Sequence, residues 1–374
     1  MSASRDRVVS IDVVRGIVMI LMAIDHVRVY AGVPPGGPSP AVFFTRWITH
    51  FVAPAFIFLA GTSAYLHGRK LAGPAALTKF LAVRGAILIL LELTLIRIAW
   101  TFNFDFRNYL VAGVIWVIGW CMILLALAVH LPLRAIAAIG IALIALHNLL
   151  DFVPYPEPTP WPLQLLYYGG TIGPLHILYV LVPWLGVMLA GYAFGRIAEL
   201  PSDRRRAITL RLGVAATVAF LVLRAIDVYG DPRRWHAKPG VLSFLGTTKY
   251  PASLLFLLMT LGPMLILLAL ADGWRGKVAG VLTTFGRVPM FYYLLHIPAI
   301  HIAACIVSLV REGRIDPWLF GNFPVAPGDQ PDGYMWSLPL LYLVFAGTVV
   351  VLYFPCRWYA RVRASKRWPW LSYV

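Results

Sequence analysis

Charge is scarce in this chain: 13% of its 374 residues are charged, and only 16 are acidic. Soluble domains carry about 25% charged and about 45–50% apolar residues. Here the apolar share is 60% and the mean hydropathy +0.77, which excludes an ordinary soluble enzyme. Disorder requires low hydrophobicity and is excluded for the same reason. Cysteine is scarcer still. Cys121, Cys305 and Cys356 are too few and too isolated for the disulfide framework of a secreted module. The histidines lack the paired spacing of zinc ligands, so no metal site is predicted. A phosphate-binding glycine loop and a nucleophile elbow are both missing, which argues against an ATP-driven machine and a serine hydrolase.

What the chain has is long apolar runs. A membrane helix needs about 20 mostly apolar residues. Ten stretches qualify: 8–27, 51–66, 85–102, 110–130, 135–150, 174–194, 207–226, 251–270, 285–310 and 337–354. The ninth contains Pro289 and Pro298; if these divide it, the number is eleven. The expected fold class is therefore all-α: a polytopic membrane helical bundle formed by the whole chain, 1–374, as a single domain.

Basic residues outnumber acidic ones 32 to 16, giving a net charge of +16. With the N-terminus inside, 19 of the 32 fall in cytoplasmic segments, nine fall outside, and four (Arg15, Arg97, Arg224, Arg287) lie within spans. This bias predicts both termini in the cytoplasm and accounts for the excess without a nucleic-acid partner. The first span contains Arg15, Asp25 and His26 and no small-residue cleavage site follows it, so it reads as a retained helix rather than a signal peptide. Arginine outnumbers lysine 26 to 6, a bias of GC-rich bacterial genomes that points to a bacterial cytoplasmic membrane.

Charge inside a span costs about 2.5–3.5 kcal/mol per residue on insertion scales, so each instance calls for a reason. Arg15 and His26 stand eleven residues apart in the first span. On an α-helix that separation is about 20° beyond three turns and about 16 Å along the axis, so the two share a face. A cation near the cytoplasmic end and an imidazole near the outer end would suit one long ligand with an anionic head, such as coenzyme A, and a general base beside its reactive end. The structural alternative is that Arg15 snorkels and pairs with Asp12 while His26 sits at the interface. Asp25 points about 100° away from His26 and is expected to pair with Arg28 or with another helix. A second set of polar residues is predicted at the depth of His26: His50 at the start of the second span, Asn148 and Asp151 after the fifth, His176 before the sixth and Lys249 before the eighth. Helix ends are wet and tolerate polar groups, so packing and substrate binding both remain open for these. Glu92 is expected to pair with an arginine of another helix, and Arg287 to contact phosphate.

The run Val9-Ser10-Ile11-Asp12-Val13-Val14-Arg15-Gly16, then Leu21-Met22 and Asp25-His26, resembles the first helix of the heparan-α-glucosaminide N-acetyltransferase-like family. Phe51-Val52-Ala53-Pro54-Ala55-Phe56 through Gly61-Thr62-Ser63 is similar to its second helix. Phe285-Gly286-Arg287-Val288-Pro289 and Tyr293-Leu294-Leu295-His296 also resemble its bacterial members. The likeness is sharpest over 8–68. The Arg, ten residues, His arrangement is similar to the acyltransferase-3 family as well.

The resemblance implies transfer of an acyl group, usually acetyl, from cytoplasmic acyl-CoA to a carbohydrate on the far side. By the resemblance Arg15 and His26 carry over directly; the leading expectation places Arg15 and Arg287 near the donor's anionic half and His26 as base, with Asp25, His50 or Asn148 orienting it or the acceptor. Arg28, Asn148, Asp151, His176 and Lys249, by their position on the outer side, are expected around a hydroxyl or amine of a glycan or glycolipid. In the lysosomal enzyme of that family the catalytic histidine lies in the first luminal loop; the corresponding segment 30–47 has none here, so His26 or His50 takes the role. The rival expectation is a proton-coupled transporter, since intramembrane His, Asp, Glu and Arg serve a proton path equally well. Acceptor identity and self-association are open at this stage.

Overall fold

The computed structural model describes residues 8–37, 39–154, 156–322 and 330–365; Arg5, Arg7, Lys366 and Arg367, counted above as cytoplasmic, lie outside the described residues. Each of the ten apolar stretches contains a helix. These are α1 (Val9–Tyr30), α2 (Pro40–Gly68), α3 (74–101), α4 (Val114–Ala128), α5 (Leu133–Phe152), α6 (Leu181–Ala198), α7 (Ser202–Ile226), α8 (Leu254–Leu270), the pair α9 (Lys277–Arg287) and α10 (Pro289–Glu312), and α11 (Leu338–Ala364). Six of them (α2, α5, α6, α7, α10 and α11) are long and apolar enough to cross a membrane. α4 and α8 are apolar but shorter. The chain is a helical integral membrane protein.

α1 is the hub. It packs against α2, α9, α10 and α11, and most of its residues are buried on every side. Asp12 lies in its first turn and Arg28 in its last, each favourable to the helix dipole. Two glycines set the approach of α9. A Cβ on Gly16 would lie 1.9 Å from the Leu282 carbonyl oxygen, and one on Gly286 would lie 1.8 Å from that of Asp12. The two backbones therefore touch, as small residues permit in membrane bundles.

The apolar pattern misplaced several boundaries. α2 begins at Pro40, where Ser39 caps it by accepting the Val42 N–H at 3.3 Å. His50 therefore lies inside a continuous helix, in the 3₁₀ stretch Ile48–Phe51, and does not open it. Pro54 lacks the N–H that the His50 carbonyl would receive, which favours the tighter turn there. The ninth run divides once, at Val288; Pro289 opens α10 and Pro298 is accommodated within it. The fold also has strands that an all-α expectation omits. β1 (Leu110–Ala112) lies parallel to β3 (Leu175–Ile177), which pairs antiparallel with β2 (Gly170–Ile172), in the order β1-β3-β2. Gly173, at φ 56°, makes the β2–β3 turn. Consequently 110–112 and 174–180 precede their helices instead of opening them.

Glu92 sits at a π turn (Glu92–Ile96) in α3, 1% exposed. Among the described residues it is not paired with an arginine of another helix. One carboxyl oxygen accepts the backbone N–H groups of Ile115 (2.7 Å) and Trp116 (3.0 Å), capping α4 from outside. Arg97 likewise finds carbonyls, donating to Tyr109 O at 3.1 Å and to Asn103 O, with the Thr101 hydroxyl at 3.1 Å. Glu92→Leu would orphan two buried N–H groups at about 1–3 kcal/mol each. A fall in the thermal unfolding midpoint in detergent is expected, whereas Glu92→Gln, which keeps an acceptor oxygen, should lie close to wild type.

Candidate active site

The site is organised by the two ends of α1. At the N-terminal end, Asp12 lies 3.6 Å from Arg15 Nη1 and 3.9 Å from Arg287 Nε. Arg15 also donates to the Ser63 hydroxyl at 2.7 Å and to the Gly286 carbonyl at 3.3 Å, which ties α1 to α2 and α9. Arg363 of α11 donates to the Arg287 carbonyl at 2.9 Å. Arg84 of α3 lies within electrostatic reach of Arg15 and Arg363. Arg15 and Arg287 thus share the Asp12 carboxylate, and Arg84 and Arg363 bring two further helices to the same end. Arg287 is half exposed and faces outward from this end. Such a donor set suits phosphate, which guanidinium groups bind through paired N–H donors. Sequence reasoning reached Arg15 and Arg287. It treated Arg84 and Arg363 only as topology signals, because nothing local reveals that residues so far apart in the chain converge.

At the other end, His26 is partly buried. Its Nδ1 lies 2.7 Å from His296 Nε2 of α10, and the two rings stack at 4.8 Å. Trp100 packs edge-on at 4.7 Å, and Tyr293 closes another side at 6.4 Å. Tyr30, one turn further along α1, stacks on Trp100 at 5.6 Å and donates to its carbonyl at 2.6 Å. No hydrogen bond reaches His26 Nε2 among the described residues, and this nitrogen is not among the fully buried ones without a partner. It is the ring atom open to an incoming group.

Asp25 and Arg28 form an ion pair at 2.8 Å, and Arg28 also donates to the Val33 carbonyl at 2.6 Å. Both side chains are thereby committed to the turn after α1, and Asp25 makes no hydrogen bond to His26 among the described residues. His50 is 8% exposed, lies 5.4 Å from the Phe256 ring, and has both ring nitrogens without a partner among the described residues. His50 and His26 both lie within electrostatic reach of Asp25, Arg28 and Lys249. Lys249 is 8% exposed, with its ammonium 5.1 Å from the Tyr250 ring centroid. Five of the residues singled out in the sequence (Asp25, His26, Arg28, His50 and Lys249) are therefore one neighbourhood.

The remaining three lie elsewhere. The Asn148 side-chain oxygen accepts the Leu254 N–H at 2.7 Å, and its amide donates to Asp151 at 2.8 Å. Tyr167 donates to the other Asp151 oxygen at 2.6 Å. This network caps α8, and it borders a cavity of about 220 Å³ with Tyr229, Asp231 and Arg234. His176 lies on β3, 3.2 Å from the Thr171 hydroxyl and 5.3 Å from the Tyr109 ring. His301 is enclosed by Phe102 at 3.8 Å and Tyr30 at 4.7 Å. Sequence reasoning left both His296 and His301 undecided between lining a cavity and packing between helices. The hints for His296 were its place in the same run as Arg287 and the likeness of Tyr293-Leu294-Leu295-His296 to the family's bacterial members, and helix packing explained it equally well.

Fold and site together define a membrane-embedded helical bundle whose central helix carries a cationic cluster at one end and a paired imidazole at the other. The chain belongs to the family described as heparan-alpha-glucosaminide N-acetyltransferase, catalytic, whose profile matches residues 7–229, more than half of its length. The match takes in Arg15, Asp25, His26, His50 and Arg84, and ends before Lys249, Arg287 and His296. No curated protein matches the chain.

Proposed function

We propose that this protein moves an acetyl group from acetyl-CoA, bound with its phosphates at the Arg15 end of α1, to a hydroxyl or amine of a glycan or glycolipid presented at the His26 end. In this reading both termini face the cytoplasm of a bacterial cell, and the donor enters from that side. The observation that carries it is the layout of α1. A guanidinium cluster and an accessible imidazole nitrogen stand eleven residues, about 16 Å, apart along one helix. The family supplies the acetyl group, and the cluster supplies a reason for an anionic donor.

The chemistry would run as follows. His26 Nε2 takes the proton from the acceptor hydroxyl or amine as that atom attacks the thioester carbonyl. A C–O or C–N bond forms, the C–S bond breaks, and the imidazolium returns the proton to the departing thiolate. Asp25, held by Arg28, and the Lys249 ammonium would set the field around this step, with His50 against the acceptor.

The test is purified protein in detergent with labelled acetyl-CoA and a panel of sugar acceptors. Transfer or hydrolysis that depends on acetyl-CoA supports the reading. Proton-coupled solute uptake in proteoliposomes without acyl-CoA dependence would replace it with the transporter. Within the assay, Arg287→Ala should raise KM for acetyl-CoA about 10-fold or more with kcat largely kept, since a charge-assisted hydrogen bond contributes about 1.5–3 kcal/mol.

A further inference from the structure

The pairing of His26 with His296 has a direction. His296 is fully buried. Its Nδ1 lies 2.7 Å from the Tyr293 carbonyl oxygen and 3.2 Å from that of Tyr292. A carbonyl oxygen only accepts, so Nδ1 bears the His296 proton. In a neutral imidazole the other nitrogen, Nε2, is then a lone pair. That lone pair faces His26 Nδ1 at 2.7 Å, so His26 Nδ1 must donate. The His26 proton is thereby placed on Nδ1, and its own lone pair on Nε2, the nitrogen open to an incoming group.

We infer that His296 is a positioning residue for His26, a neutral imidazole that holds the base in the Nδ1–H tautomer through a relay beginning at the Tyr293 carbonyl. The inference rests on His26 acting as the base. His296 touches neither acceptor nor donor and does not change its own protonation. When His26 takes the acceptor proton at Nε2, its Nδ1–H remains bonded to the His296 lone pair, which faces a developing positive charge. An orienting partner of this kind usually is a carboxylate or backbone carbonyl. Here the nearest carboxylate, Asp25, is bound to Arg28 and points to another side of the helix. Stacking at 4.8 Å with an interplanar angle of 23° keeps the two rings in register, and Tyr292 lies parallel behind His296 at 5.2 Å.

The experiment uses the full-length protein in detergent. His296→Leu removes the acceptor; His296→Gln can place its Oε1 where Nε2 stands and receive the same proton. In triad enzymes, loss of the correct tautomer lowers kcat by about 10⁴. For a neutral partner the expected loss in His296→Leu is about 10²-fold in kcat with KM for acetyl-CoA unchanged, and His296→Gln should recover most of it. Ring ¹³C and ¹⁵N shifts of labelled His26 should report the Nδ1–H tautomer in wild type and a mixture in His296→Leu. This readout does not depend on turnover. Equal losses in the Leu and Gln variants, or an unchanged tautomer in His296→Leu, would overturn the inference. If His26→Ala retains transfer, it is the base assignment that fails. If His26→Ala is inactive while His296→Leu has wild-type kcat, only the positioning role fails.

Discussion

Replacing His26 by alanine is expected to lower acetyl transfer by about 10²- to 10⁴-fold, the usual range for loss of a positioned general base. Acetyl-CoA affinity should stay within a few-fold of wild type, because the end proposed to hold the donor's anionic half lies about 16 Å away on the same helix. Turnover with labelled acetyl-CoA and equilibrium binding of a non-transferable CoA thioester measure the two quantities separately. An active His26→Ala enzyme would leave His50 as the alternative, since it shares the surroundings of His26 and, unlike His296, has both ring nitrogens without a hydrogen-bond partner among the described residues. The His50→Ala variant is the comparison. With His26 as base, its effect should be confined to the acceptor KM.

The second large effect is expected from a residue with no side chain. A Cβ at Gly286 meets the Asp12 carbonyl oxygen at 1.8 Å, so Gly286→Val must push α9 away from α1. Overpacking costs about 1–3 kcal/mol, occasionally more. The displacement would also break the Arg15 bond to the Gly286 carbonyl and carry Arg287 away from Asp12. The thermal midpoint should fall and acetyl-CoA affinity should drop in parallel. Gly280→Ala supplies the control on the same helix: its Cβ would have nothing within 4 Å, and alanine is the better helix former by about 1 kcal/mol. It should be neutral or slightly stabilising. A Gly286→Val protein with unaltered midpoint and affinity would show that α9 does not serve the donor end.

Much of the architecture was legible because a bilayer imposes a length and a polarity on every span. Ten apolar stretches mark most of the helices; Pro289 in the ninth suits a first helical turn and opens α10, whereas most of α9 lies before that stretch and was not read as a helix. Hydropathy does not mark the ends of helices, because loops buried against the bundle are apolar too. That is why β1 and β3 were read as the starts of spans, and why the entry of α2 at Pro40 was missed in favour of Phe51. Glu92 shows a different limit. A buried carboxyl needs donors, and an arginine was the natural expectation; the donors proved to be the N-terminal amides of α4, which no sequence pattern displays.

The site divides along the same line. Along α1, one helical period relates Asp12, Arg15, Asp25, His26 and Arg28, so the pairings of Asp12 with Arg15 and of Asp25 with Arg28, and the face shared by Arg15 and His26, follow from spacing. These facts are local, and local geometry is fixed at 1.5 Å and 100° per residue. Between helices there is no such ruler. That Arg84 and Arg363 stand near Arg15, that Lys249 and His50 share the surroundings of His26, and that Asn148 and Asp151 serve the start of α8 all depend on how helices pack. So does the bond from His26 to His296, 270 residues away. Side-chain chemistry specifies which groups require partners; backbone approach, here permitted by Gly16 and Gly286, selects the partners they find.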